Sequence, residues 1–179
     1  MVDFITPFLV VFTVIAQGII LWTMGESIYV ASRTDRRHSA FLHFLHQNAI
    51  LGGFIISLIA MLGSLYYSDV MGYAPCFLCW YQRIFMYPQV FLFAAALWKN
   101  EKTVWLFTTT LSIIGAAIAA AHYYIQMAGS NAFCNVVGYS ASCSETFSAN
   151  IGYITIPMMA LSAFLLVLVL SFIQRKNLY

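Results

Sequence analysis

Cys76 and Cys79 stand three residues apart in the stretch PCFLCWYQR, and Arg83 follows four residues after the second. A C-x-x-C pair can close into a disulfide, reopen by thiol exchange, or supply two thiolates to a metal. At a helix N-terminus the dipole and the free N–H groups lower a thiol pKa. Positions i and i+4 share a helix face, so the Arg83 guanidinium would lie about 6 Å further along the face that carries Cys79. There it can favour the Cys79 thiolate and donate hydrogen bonds to a carbonyl-bearing ligand. A lone arginine at such a place can also simply snorkel to headgroups. Beside a redox-type cysteine pair, that bland reading weakens.

The elements that must position these groups belong to a membrane. The chain has 179 residues, 62% of them hydrophobic and only 8% charged, against roughly 25% charged in a soluble domain. Five apolar runs approach or exceed the roughly 20 residues that cross a bilayer as a helix: Phe4–Met24, Ala49–Tyr67, Phe77–Trp98, Val104–Ile125 and Ile154–Ile173. A helix satisfies its own backbone where no water can do so. The continuous apolarity excludes the alternating pattern of a membrane barrel, and a net charge of +2 does not suggest nucleic acid. The first run lacks a basic start, since Met1-Val2-Asp3 holds no Lys or Arg, and reads as a retained helix rather than a cleaved leader.

Basic residues set the expected orientation. Arg33, Arg36, Arg37, Lys99, Lys102, Arg175 and Lys176 all fall on one side if the five helices alternate, and the other side carries none. By the positive-inside rule the N-terminus is outside and the C-terminus cytoplasmic. Trp98 and Trp105 then form an inner aromatic belt, and Tyr66, Tyr67, Tyr123, Tyr124 and Tyr153 an outer one. Arg83 alone among the cations lies within a span.

All four cysteines fall on the outer, oxidising side: Cys76 and Cys79 at the start of the third span, Cys134 and Cys143 in the loop of residues 126–153. An even number in one compartment reads as two pairs. The second pair closes a loop of Asn, Gly, Ser and Ala and could be a structural staple. Four thiolates could also bind zinc, although C-x8-C is loose for a zinc ligand pair; no metal is expected. No βαβ pattern surrounds the C-x-x-C, which excludes a thioredoxin-like domain. One pair in water and one at the lipid boundary can carry two electrons in series from an aqueous dithiol to an acceptor dissolved in the bilayer. A hydrophobic acceptor with carbonyls for Arg83 to bind is a quinone.

With those residues in hand, the chain resembles the quinone-linked disulfide-generating membrane proteins of the DsbB family, in particular its shorter BdbC-like branch. The resemblance rests on Pro75-Cys-x-x-Cys-Trp-Tyr-Gln-Arg83. It extends to Ile59–Tyr66, Arg83-Ile-Phe-Met-Tyr-Pro88, His122-Tyr123, Cys143-Ser144 and Gly152–Pro157, covering roughly residues 49–173. It implies an all-α membrane protein: a DsbB-like four-helix transmembrane bundle at 49–179, preceded by one extra N-terminal transmembrane helix and a basic cytoplasmic loop at 1–48. It further implies a bacterial cytoplasmic membrane, electrons taken from a DsbA-like thioredoxin-fold thiol oxidase, and a quinone cofactor, ubiquinone or menaquinone. By position, Cys134 matches the cysteine that meets the oxidase, Cys143 its partner, and Cys79, beside Cys76, the cysteine that meets the quinone. Arg83 matches the quinone-site arginine, and His122 falls near another quinone-site position. The extra helix and a short Cys134–Cys143 loop depart from the longer members.

Two other classes compete. A non-enzymatic scaffold with structural disulfides leaves Arg83 unexplained. An enzyme of the vitamin K epoxide reductase type normally carries its C-x-x-C after the loop cysteines, whereas here the motif precedes them. Other features carry no role. His38, His43 and His46 read as a wet cytoplasmic segment without carboxylate or thiol ligands nearby. Ser112, Ala116 and Ala120 read as a small-residue packing face. Pro88 should kink the third span, Met86, Met127, Met158 and Met159 read as filler, and Glu145 is given no function.

Overall fold

The computed structural model describes residues 5–32, 40–99, 101, 103–128 and 153–175. They form six α-helices: α1 (Ile5–Ser32), α2 (Ala40–Gln47), α3 (Ala49–Leu65), α4 (Phe77–Lys99), α5 (Val104–Ala128) and α6 (Ile156–Arg175). Among the described residues all five apolar runs are helical, save Ile154 and Thr155 ahead of α6. The chain is thus an all-α membrane protein, a bundle of long apolar helices with one further helix at its N-terminal end. Among the described residues, four segments are by length and hydropathy long and apolar enough to cross a membrane: Ile5–Glu26, Ala49–Val70, Val104–Ala128 and Ile156–Gln174. The 23-residue α4 is equally long. Its apolarity is diluted by Gln82, Arg83, Pro88 and Gln89. The helix runs on through Pro88.

In the bundle α5 lies along α6, α4 packs between α3 and α5, and α1 leans on α6, which also meets α3. Close approach depends on glycine. A Cβ at Gly53 of α3 would stand 2.6 Å from the Phe93 ring of α4, and one at Gly115 of α5 would collide with the Phe164 ring of α6. Both phenylalanines are wholly buried. The expected small-residue face of α5 is corrected in part. Ser112 and Ala116 are buried, but Ala119 completes the face with Gly115 while Ala120 is exposed. At 3.6 residues per turn a strict four-residue repeat drifts off the contact line.

Polar side chains join the helices inside the apolar layer. Ser112 donates to Gln89 Oε1 at 3.1 Å, with both residues fully buried. Thr109 and Ser171 hydroxyls bond across α5 and α6. Gln17 Nε2 on α1 donates to Ser162 Oγ on α6 at 3.1 Å, and Tyr153 OH donates to Gln17 Oε1 at 2.9 Å. Such bonds are worth roughly 0.6–2 kcal/mol each between membrane helices.

Two expected belt residues lie instead in the interior. Trp105 is buried with its ring edge-on to Phe93, centroids 5.4 Å apart. Tyr67 is buried and donates to Thr6 Oγ1 at 3.2 Å. Each faces a neighbouring helix, an environment that amphipathic character alone does not reveal. Trp98 is 90% exposed, as a belt residue should be. His43 and His46 lie on the short α2, which the Gln174 amide ties down by donating to the His46 carbonyl at 2.5 Å. Thr103, ahead of α5, donates its hydroxyl to Glu101 at 2.5 Å and so holds that exposed carboxyl below its ordinary pKa.

Candidate redox site at the start of α4

The end of α3 sets up the site. The helix widens into a π-helical turn over Tyr66–Val70, and Gly72 then takes a φ of +72° to reverse the chain. Only glycine adopts that conformation freely. The reversal is closed by the Tyr73 N–H bonding the Tyr67 carbonyl at 3.0 Å, with the two rings stacked at 6.1 Å. Tyr73–Pro75 then deliver Cys76 to the N-terminus of α4.

Cys76 caps that helix. Its carbonyl accepts the Trp80 N–H at 3.1 Å, and its sulfur accepts the Cys79 N–H at 3.3 Å. A sulfur in this position satisfies one of the free N–H groups of the first turn and meets the positive end of the helix dipole. The Sγ atoms of Cys76 and Cys79 are 2.7 Å apart. Cys76 is 5% exposed and Cys79 half-buried.

His122, buried on α5, stands on the other side of Cys76, with Nε2 3.6 Å from Sγ. Its Nδ1 lies 2.9 Å from Nε2 of the buried Gln82. With the amide nitrogen donating to Nδ1, the neutral ring carries its proton on Nε2, facing the Cys76 sulfur. The polar partners therefore converge on Cys76 rather than on Cys79.

Arg83 lies one turn beyond Cys79 and is half-buried. Its Nε donates to Ser64 Oγ at 2.9 Å and its Nη2 to the Ser64 carbonyl at 3.0 Å, while Cζ sits 5.2 Å from the Trp80 ring centre. Among the described residues its partners are a hydroxyl, a carbonyl and an indole face, not a carboxylate. Among those residues nothing cancels its charge, and part of its five-donor fork is uncommitted.

Two cavities meet at this point. An outer one of about 70 Å³ is bordered by Cys76, Cys79, Arg83, His122, Gln126 and Pro157. A deeper one of about 110 Å³ has Cys79, Gln82 and Arg83 among its walls and is otherwise mostly apolar. Cys79, Arg83, Ser64 and Tyr67 border both. The sulfurs of Cys76 and Cys79 and a ring nitrogen of His122 also lie within 4.8 Å of one another, close enough to share a metal ion.

Four of the six expected site residues, Cys76, Cys79, Arg83 and His122, thus lie together. Cys134 and Cys143 fall outside the described residues. Ser64 and Gln82 escaped the reading of the sequence, although both stand in stretches that carry the family resemblance. The signal was present for Gln82, because a polar residue inside a membrane span is a functional candidate by default. Ser64 comes from α3, and only the packing brings it to Arg83.

A family model described as "Disulfide bond formation protein DsbB" matches residues 46–174. The chain is 39% identical over 129 residues to the "Probable disulfide formation protein C" of Bacillus cereus, covering 72% of this chain and 93% of that one. It is 38% identical over 120 residues to the "Disulfide bond formation protein C" of Bacillus subtilis, covering 67% and 87%. A "Probable disulfide formation protein" of Metapseudomonas resinovorans is 36% identical over 133 residues, covering 73% and 91%. No solved structure matches the chain. A helix-capping C-x-x-C within a bundle of apolar helices, matched along more than two thirds of the chain, makes this protein a member of the DsbB family of disulfide bond formation proteins, a membrane thiol oxidoreductase.

Proposed function

We propose that this protein reoxidises an extracytoplasmic thioredoxin-fold thiol oxidase of the DsbA type and passes the electrons to a membrane quinone. The observation that carries this reading is that Cys79 and Arg83 border both the outer cavity and the deeper apolar one. A sulfur that borders both spaces, with a cation one turn away, suits transfer from a thiol to a carbonyl-bearing acceptor dissolved in lipid.

The reaction is written as two exchanges and one reduction. The partner's dithiol attacks the Cys134–Cys143 disulfide, leaving the partner oxidised and this pair reduced. Cys134–Cys143 then reduces the Cys76–Cys79 disulfide by a second exchange. The Cys76–Cys79 dithiol gives up two electrons and two protons, and quinone becomes quinol. The net change is partner dithiol plus quinone to partner disulfide plus quinol. In this scheme the cap position and the His122 N–H stabilise negative charge on Cys76, and Arg83 donates to the carbonyl of ubiquinone or menaquinone. His122 serves the quinone site through Cys76.

The scheme assigns residues 49–179 to the family's four-helix unit and residues 1–48 to an added helix and basic loop. The N-terminus and both cysteine pairs lie outside the cytoplasmic membrane, and the C-terminus inside. The seven-to-none division of basic residues between the two sides supports that orientation.

The test mixes the purified protein in detergent with a reduced thioredoxin-fold oxidase and a quinone, and follows quinone absorbance. One quinone consumed per partner disulfide formed is the expected result. Formation of no partner disulfide above the rate without enzyme would return the protein to a scaffold with structural disulfides.

A further inference from the structure

We infer that α1, the helix outside the family match, forms one wall of the acceptor cavity and grips the apolar tail of the electron acceptor. This rests on the quinone reading above and adds a determinant of which acceptor fits. The family model begins at residue 46, so the whole of α1 (Ile5–Ser32) precedes it. Leu9, Phe12, Thr13 and Ala16 of that helix nevertheless line the deeper cavity, opposite Cys79 and Arg83.

The contact is built rather than incidental. Thr6 receives the Tyr67 hydroxyl near the outer end of α1, and Gln17, the residue after the cavity-lining Ala16, binds Ser162. Between those two ties the helix packs on α6 and its Leu9 side chain reaches α3, where a Cβ at Gly63 would stand 3.2 Å from it. Thr13 and Ala16 are buried. Thr13 spends its hydroxyl on the Leu9 carbonyl at 2.8 Å and so adds little polarity to the wall.

The shape of the cavity argues for the occupant. Its lining on α1 runs from Leu9 to Ala16, on α3 from Ile56 to Ser64, and on α4 from Cys79 to Tyr87. At 1.5 Å per residue these stretches are roughly 10–12 Å long, so the space is elongated along the helices. Cys79, Arg83 and Ser64 stand at one end. Ala16, Ile56 and Leu166 stand toward the other, where no charged group joins the lining. A ligand with a carbonyl-bearing head and an apolar tail matches that polarity along its length. The tail is the part that α1 would touch.

The experiment compares two acceptors of one quinone head group, one with a decyl tail and one with none. Ala16→Leu fills the wall from α1. The expected result is a rise of roughly five- to tenfold in KM for the tailed acceptor, the weight of a few displaced methylene contacts. KM for the tailless acceptor and the rate of partner oxidation should change less than twofold. A second measurement uses the wild-type protein, so it does not depend on a variant folding. A tailed quinone bearing a diazirine near the tail's end is photolysed on the protein, and the labelled peptides are mapped. Label within residues 9–16, displaced by excess decyl quinone, is expected. Equal KM changes for both acceptors, or label confined to α3, α4 and α6, would overturn the role of α1 while leaving quinone reduction intact. Failure of the wild type to reduce either acceptor would overturn the quinone reading and this inference with it.

Discussion

Arg83 is held by two bonds to Ser64, which offset part of its desolvation cost. On the proposed route it acts in the acceptor step. Arg83→Ala should raise the KM for quinone or slow quinone reduction by about ten- to a hundredfold, the value of a charged hydrogen bond at roughly 1.5–3 kcal/mol. Arg83→Lys should recover part of the charge effect but not the planar fork. The single-turnover rate of mixed-disulfide formation with the dithiol partner should barely change in either variant. Equal slowing of both steps would sink the assignment. The Cys79–Arg83 relation was legible from four-residue spacing, because it is internal to one helix. The Gln82–His122–Cys76 chain was not, since its members are 40 and 46 residues apart and meet only when α4 packs on α5.

The helices are held at two glycine crossings as much as by their apolar surfaces. Gly115→Ala would drive a methyl into the Phe164 ring, and Gly53→Ala would push on Phe93. Overpacking of this kind costs roughly 1–3 kcal/mol. Both variants should lower the midpoint of thermal unfolding in detergent, whereas Gly18→Ala, with open space around it, should not. An unchanged midpoint for Gly115→Ala would mean that α5 and α6 pack less tightly than described. At the other end of the bundle, α2 packs on α6 and α3 away from the cysteines, so His43 and His46 changed together to alanine should keep turnover within a few-fold of wild type. A hundredfold loss at normal expression would give that segment a function. The long helices could be read from apolarity alone, because lipid forces a helical solution on any such run. Which face of each helix turns inward was less legible. Trp105, Tyr67 and Ala120 were each assigned the wrong environment, because burial in a bundle depends on the neighbouring helix as well as on residue type.

For the molecule as a whole, the proposed route runs from a water-facing disulfide to a lipid-facing one. Each half should fail separately. Cys134→Ser or Cys143→Ser should abolish turnover with a protein dithiol and leave helical content and membrane insertion unchanged, because the bundle's backbone bonds do not depend on that loop. Loss of helical content in these variants, measured by circular dichroism, together with normal turnover in the folded fraction, would instead make the pair a staple. The bond between Gln17 and Ser162 joins the first long helix to the last across 145 residues of chain. At the usual pace of synthesis, roughly 5–20 residues per second, about 7–30 s pass between the emergence of one partner and that of the other from the ribosome. Throughout that interval the Gln17 amide resides in the bilayer without its Ser162 partner, and α1 has no α6 to lean on. The tie between α1 and α6 therefore closes late: a helix already in the membrane waits for a partner that has still to be made.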